Sequence, residues 1–313
     1  MTIPSVLRCQ PPSVPNVLIT FPAPHVLLVT LNRPAQLNAI PSSQHAPLAA
    51  LWDWYDAEPH LRCAILTGTG RAFCAGADLR EWDELNSGSS SQPHHGEEEP
   101  KEREEKGKGD EEEKEEREER EKRMTITPTG FGGLSNRRRG KKPIIAAVNG
   151  LCLGGGMEML INCDVVLSTR SARFGLPEVT RGVVALAGAL PRLVGAVGRQ
   201  RAGEMALLGR IYGAEEMYRW GVVNFLVDDH DGNGKDVVKE AVKVAQEIAG
   251  NSPDAVIVSR EGVRLGEDGL GMEKATEVLL QGLFKKMDGG ENMREGVRSF
   301  VEKRKPVWTD SKL

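Results

Sequence analysis

The 313-residue chain contains no apolar run approaching the roughly 18 residues of a membrane-spanning helix, and its N-terminus lacks a charged flank followed by a long apolar core. Neither membrane insertion nor secretion is expected. It has no C-x-x-C spacing: Cys9, Cys63, Cys74, Cys152 and Cys163 are odd in number and scattered. A thiolate metal site or redox pair is therefore not expected, and the cysteines read as reduced thiols of an intracellular protein. No Gly-Lys-Ser/Thr triplet follows a glycine loop and no G-x-G-x-x-G is present, which removes the phosphate-binding loop and the dinucleotide fingerprint. Concentrated positive charge is also missing. Residues 97 to 123 hold fifteen acidic and nine basic side chains, a net of −6, so the rest of the chain carries only +2 against a total of −4. A near-neutral body is a poor ligand for nucleic acid, whose phosphates demand clustered cations.

What the chain does have is a pair of glutamates in short glycine-rich contexts: Glu158 in Leu-Gly-Gly-Gly-Met-Glu and Glu178 in Phe-Gly-Leu-Pro-Glu. Two carboxylates in one pocket can pass protons in opposite directions, which is the chemistry of adding or removing water. Two small-residue turns accompany them, Phe73-Cys74-Ala75-Gly76-Ala77-Asp78 and Gly154-Gly155-Gly156. Each allows backbone N–H groups to approach a ligand oxygen, and two such turns together can form an oxyanion hole. A helix from the second turn to Asn162 would aim free N–H groups and a positive dipole end at that oxygen. The competing readings are plain: Glu158 as an acid that complements the helix dipole, Glu178 as an exposed loop carboxylate.

These segments resemble the enoyl-CoA hydratase/isomerase (crotonase) family. The likeness extends through Asn32-Arg33-Pro34 with Leu37-Asn38-Ala39, the strand and loop from Ala64 to Leu79, Lys142-Pro143 with the following strand to Gly150, and the later stretch from Leu208 through Trp220 to Asn224. The resemblance implies an α/β fold, a spiral of stacked strand-strand-helix units with C-terminal helices that pack a homotrimer or hexamer. It also implies an acyl-CoA thioester as substrate, coenzyme A being part of that substrate and no separate cofactor being needed. It assigns the oxyanion donors to the backbone N–H groups of Ala77 and Gly155. Glu158 becomes the water-activating base and Glu178 the proton donor to C2, although the sequence does not separate these roles. Arg71, Ala75, Gly76, Asp78 and Leu79 become the coenzyme A contacts. Two departures bear on the pocket: Leu176 stands where many hydratases carry glutamine, and Ala185-Leu186-Ala187-Gly188-Ala189-Leu190 replaces a glycine-rich stretch. Leu176 and Leu186 are thus expected to shape a more apolar pocket. Hydration of a 2-enoyl-CoA is the leading expectation, with double-bond isomerisation and a non-catalytic acyl-CoA scaffold as alternatives.

With 39% hydrophobic and 27% charged residues the chain can build one substantial core. Short apolar runs at 26–31, 61–67, 144–148 and 163–167 read as buried strands, and 42–57 as a helix between the first two. Beyond residue 230 the period becomes helical, at 235–249, 252–265, 272–287 and 292–302. A tail over 1–15, a core over 16–230 and a helical region over 231–313 follow. Residues 86 to about 140 are expected to be a solvated, charge-rich insertion, and the basic run from Arg137 to Lys142 a solvated turn. Ser311-Lys312-Leu313 reads as an address for the peroxisomal import receptor, which places the chain in the peroxisomal matrix.

Overall fold

A computed structural model of the chain describes residues 5, 7–78, 80–81, 128–230 and 232–313. Six strands form the larger sheet in the order β1-β2-β3-β5-β7-β10: β1 (Val17–Ala23), β2 (Val26–Leu31), β3 (Cys63–Gly68), β5 (Ile144–Val148), β7 (Val165–Thr169) and β10 (Phe225–Val227). A smaller sheet runs β4 (Ala72–Cys74), β6 (Leu151–Leu153), β8 (Arg173–Gly175) and β9 (Tyr212–Gly213). Apart from the β1–β2 hairpin and the β8–β9 pair, all pairings are parallel.

The repeat is visible in the connectivity. β3, β5 and β7 enter the large sheet, and β4, β6 and β8, which follow each of them directly, enter the small one. Each turn of chain thus lays down one strand in each layer before crossing back, which is the expected stacked strand-strand-helix arrangement. Parallel strands covered on both faces read as continuous apolar runs. In β3 and β5 every residue is buried. Ala64, Leu66, Ile144 and Ala146 face the principal core, whereas Cys63, Ile65, Ile145 and Ala147 face a second cluster. That second cluster is closed by a helix, Lys235–Ala249, whose Val237, Ala241, Ala245 and Ala249 recur every fourth residue as a stripe of small side chains against the sheet.

The other helices of more than one turn among the described residues, in chain order with Lys235–Ala249 as α5, are α1 (His45–Ala57), α2 (Gly155–Ile161), α3 (Ala189–Leu208), α4 (Ala214–Trp220), α6 (Pro253–Glu267), α7 (Met272–Leu279) and α8 (Glu291–Val301). A π-turn at Leu280–Phe284, with Gly282 outside helical angles, interrupts the helix expected over 272–287.

One boundary requires correction. The charge-rich insertion does not reach residue 140, because Phe131, Gly132, Gly133, Leu134 and Ser135 are buried and belong to the core; residues 82–127 lie outside the described residues. Nor is the basic run solvated throughout. Arg137 is buried and bonds Asp53, Asp56 and the Trp52 carbonyl, and Lys142 donates to the Tyr55 and Glu58 carbonyls. Their charge is consumed in fixing this segment to α1. The N-terminal stretch is likewise tied down, with Arg8 N–H donating to Glu58 and Trp54 Nε1–H to the Cys9 carbonyl.

Candidate active site

The turn after β4 and the start of α2 meet. Gly76 has φ +99° and Gly154 has φ +54°, backbone conformations natural to glycine alone. A Cβ on Gly76 would stand 3.1 Å from the Leu153 carbonyl oxygen and 3.2 Å from the Gly155 nitrogen, so the two turns approach at backbone distance. In the first turn the N–H groups are almost all committed: Ala75 to the Leu37 carbonyl, Gly76 to Cys74 Sγ, Asp78 to the Ile40 carbonyl. Ala77 N–H is left without a partner among the described residues. In the second turn Gly154 N–H bonds the Gly175 carbonyl, whereas Gly155, the first residue of α2, presents a free N–H by the construction of a helix start. The structure therefore brings together the two donors assigned from the sequence.

Both carboxylates join them. Glu158 lies in the first turn of α2, 4% exposed, and its Oε1 accepts from Ala187 N–H at 2.8 Å and Ala189 N–H at 3.4 Å. Burial, with a further push from the charge of Glu178, raises its pKa to about 7 against the lowering effect of those two bonds. Glu178 follows Pro177 in a 3₁₀ turn; its Oε1 would be 3.3 Å from a Cβ on Gly154, which places it directly over the glycine turn. Burial raises its pKa too, and its Oε2 is fully enclosed without a hydrogen-bond partner among the described residues. A buried carboxyl oxygen with no donor beside it favours the protonated form.

Several contributors escaped the sequence reading. Phe131 packs flat against the helix start: a Cβ on Gly155 would be 2.6 Å from three of its ring atoms. The ring is met edge-on by His45, centroids 4.7 Å apart, and His45 Nδ1 accepts from Gly132 N–H at 3.0 Å. Ser135 ties this turn to the loop over Glu158, its Oγ accepting from Phe131 N–H at 2.7 Å and donating to the Ala187 carbonyl at 2.6 Å. Ala187 is the residue whose N–H holds Glu158. The signal for this wall was the Gly130-Phe131-Gly132-Gly133 run, whose glycines all take positive φ.

A family model described as enoyl-CoA hydratase/isomerase matches residues 108–311, and a second model of the same description matches residues 26–103.

The chain belongs to the enoyl-CoA hydratase/isomerase family.

It is 56% identical over 304 residues to a mevalonyl-coenzyme A hydratase of Beauveria bassiana, covering 97% of this chain and 98% of that one. To a protein of the same name from Aspergillus fumigatus it is 46% identical over 302 residues, covering 96% and 98%. Among solved structures, an enoyl-CoA hydratase of Mycobacterium tuberculosis superposes with a TM-score of 0.75 at 29% identity, covering 95% of this chain and all of that one. The fold is the crotonase fold, and the relatives support a CoA hydratase of that family.

Other residues assigned from the sequence fall differently. Asp78 is committed to Arg33, whose guanidinium reaches Asp78 Oδ2 at 2.9 Å and also donates to the Ala39 carbonyl, so the carboxylate fixes the turn after β4. Arg71 is exposed and, among the described residues, its side chain has no ion-pair partner. Leu79 lies outside the described residues. Leu176 is 2% exposed and part of the principal core, but Leu186 is 71% exposed. The small residues on either side of Leu186, Ala185 and Ala187, turn inward. One group among the described residues, His25, His60 and Asp310, has the composition of a metal site. Asp310 is paired there with Arg62 at 3.7 Å, and we assign the group to anchoring the C-terminal segment. Ser311 and Lys312 are engaged nearby, with Asp254 and Glu291 respectively, and the Leu313 carbonyl accepts from Lys141 Nζ.

Proposed function

We propose that this protein catalyses reversible addition of water across the 2,3 double bond of an enoyl-CoA, and that the thioester is the 3-methyl-branched, 5-hydroxylated one whose hydrated form is mevalonyl-CoA. The observation that carries the reaction is the convergence of a buried carboxyl, Glu158, and a half-buried one, Glu178, both with raised pKa, on a pair of uncommitted backbone N–H groups. The choice of substrate is supported by the two mevalonyl-coenzyme A hydratases that match almost the whole chain.

The steps follow from the atoms. The thioester carbonyl oxygen takes the N–H groups of Ala77 and Gly155, with the dipole of α2 behind the second. Glu158, held by two backbone donors and poised near neutrality, takes a proton from water as its oxygen bonds C3. Electron density moves onto the carbonyl oxygen as an enolate, where the two N–H groups stabilise it. Glu178, whose enclosed Oε2 favours the protonated form, gives its proton to C2, and the carbonyl reforms. Dehydration is the same path reversed. An isomerase would need only one of the two carboxyls.

The proposal extends to assembly and place. We infer a homotrimer or hexamer, supported by the exposed apolar side chains of Phe300, Val301 and Val297 on and beside α8, and import into the peroxisome through the tripeptide at 311–313. Glu158→Gln and Glu178→Gln, each nearly isosteric and unable to exchange the proton, should each lower turnover of mevalonyl-CoA by about a hundredfold or more while leaving thioester affinity similar. Retention of most activity by either variant would contradict the two-carboxyl mechanism.

A further inference from the structure

The loop over Glu158 is held from behind. Glu158 Oε1 accepts from Ala187 N–H at 2.8 Å and from Ala189 N–H at 3.4 Å, and the peptide between those that supply the two N–H groups is the one that carries the Ala187 carbonyl. Pro191, four residues on, has no N–H to offer that carbonyl. The Ser135 hydroxyl donates to it instead, at 2.6 Å. Ser135 is fully buried and its Oγ accepts Phe131 N–H at 2.7 Å, so its one proton is directed at Ala187. Three consecutive peptides are thus fixed in alternation, N–H to Glu158, C=O to Ser135, N–H to Glu158, and Gly188, with φ +119°, permits the turn between them. The serine is in turn tied to the helix that carries Glu158. The Leu134 carbonyl beside it accepts at 2.6 Å from Nδ2 of Asn162, which caps the end of α2, and Phe131 lies against Gly155, which starts it. Arg192 adds a second strut, donating to the Gly188 carbonyl at 2.9 Å and to Asn136 Oδ1 at 3.1 Å. The placing of the Ala187 and Ala189 N–H groups relative to α2 therefore runs through residues 131–136, and the buried link in that path is the Ser135 hydroxyl.

We propose that Ser135 is a positioning residue for water addition: its hydroxyl sets the peptide between Ala187 and Gly188 so that the N–H groups on either side converge on Glu158 Oε1. This rests on the hydratase reading above and names what fixes the base of that reaction. Two backbone donors favour the carboxylate over the neutral acid, so loosening them raises the pH at which Glu158 gives up its proton. Burial is the largest influence on that carboxyl, the two bonds oppose it, and Glu178 is the charge that acts on it from the facing turn. Residues 131–135 and 185–189 include no ionisable side chain.

The test compares wild type, Ser135→Ala and Ser135→Cys by two readouts. One is the titration of the Glu158 carboxyl in the absence of substrate, followed by isotope-edited infrared spectroscopy and identified by its loss in Glu158→Gln. The other is the pH profile of kcat/KM for hydration of the enoyl-CoA. In Ser135→Ala both midpoints should move up by about half a pH unit or more, the scale of one neutral hydrogen bond, and kcat on the high-pH plateau should fall about tenfold. Ser135→Cys, a weaker donor of similar shape, should lie between, and it decides by the same shift if Ser135→Ala does not accumulate as folded protein. A serine that only fills space would lower the melting temperature and leave both midpoints in place; that result would overturn the assignment. If wild type hydrates no enoyl-CoA while the Glu158 titration still moves in the variants, the hydratase reading fails and the positioning of Glu158 by Ser135 stands.

Discussion

Glu158 carries a measurable consequence of its burial. Its carboxyl titrates near 4.5 when free and near 7 in the fold, so the folded state holds the proton more tightly. Below about pH 4.5 both states are protonated. Between 4.5 and 7 the unfolded chain releases its proton first, stability falls as pH rises, and above 7 the buried charge costs roughly 3 kcal/mol. Glu158→Gln keeps an oxygen for the Ala187 N–H and carries no charge. It should therefore melt higher than wild type at pH 8, with the difference closing towards pH 4.5 in thermal scans at both values; an equal difference at the two pH values would refute the burial assignment. The same titration should appear as a limb near pH 7 in the profile of kcat/KM. Glu158, Glu178, Ala77 and Gly155 were legible in the sequence because each sits inside a short local motif. Phe131, Ser135, Ala187 and His45 were not, since their contacts span from 4 to 87 positions along the chain and leave no local period.

Among elements, the start of α2 is the most constrained. Gly155 is held against the Phe131 ring, and a Cβ on Gly156 would run into the Cys74 carbonyl oxygen, a backbone atom that cannot turn aside. Gly156→Ala should fail to accumulate as folded protein. Gly155→Ala should fold but lose about a hundredfold in turnover, the cost of displacing a catalytic donor by roughly an ångström, and Phe131→Ala in the same chain should restore part of it by clearing the ring. Failure of that rescue, measured as kcat on one thioester, would show that the clash lies elsewhere. Strands β2, β3, β5 and β7 were legible to within about two residues because burial on both faces makes their runs continuously apolar. The three-residue strands β4, β6 and β8 are too short to show a period, and β1, at the sheet edge, has no fully buried residue. Helix α3 was hidden by Gly195, Gly198 and Gly203, which dilute its apolar face.

At the scale of the whole molecule, the C-terminal segment is clasped to the body. Buried Arg62 donates to the Ala249 and Trp308 carbonyls, Trp308 Nε1–H bonds the Gly250 carbonyl, and Thr309 is bonded to Asn292. Removing residues 307–313 would strip Arg62 of partners on one side. The melting temperature should fall by several degrees, at about 2–4 °C per kcal/mol, and an unchanged value would show that the segment only rests on the surface. The crotonase fold was legible as a whole because its motifs recur in order along the chain, whereas the edge of the insertion was misplaced since residues 130–135 enter the core without an apolar run long enough to mark them. In the proposed mechanism the two carboxyls beside the Ala77 and Gly155 N–H groups add and remove water. It is tested most directly by incubating purified protein with mevalonyl-CoA in oxygen-18 water and following the C3 hydroxyl by mass spectrometry. The label should enter that hydroxyl in wild type, together with formation of the 2,3-unsaturated thioester, and incorporation should be about a hundredfold slower in Glu158→Gln and in Glu178→Gln. Thioester that binds yet gains no label in wild type, or label entering at the wild-type rate in either variant, would contradict it.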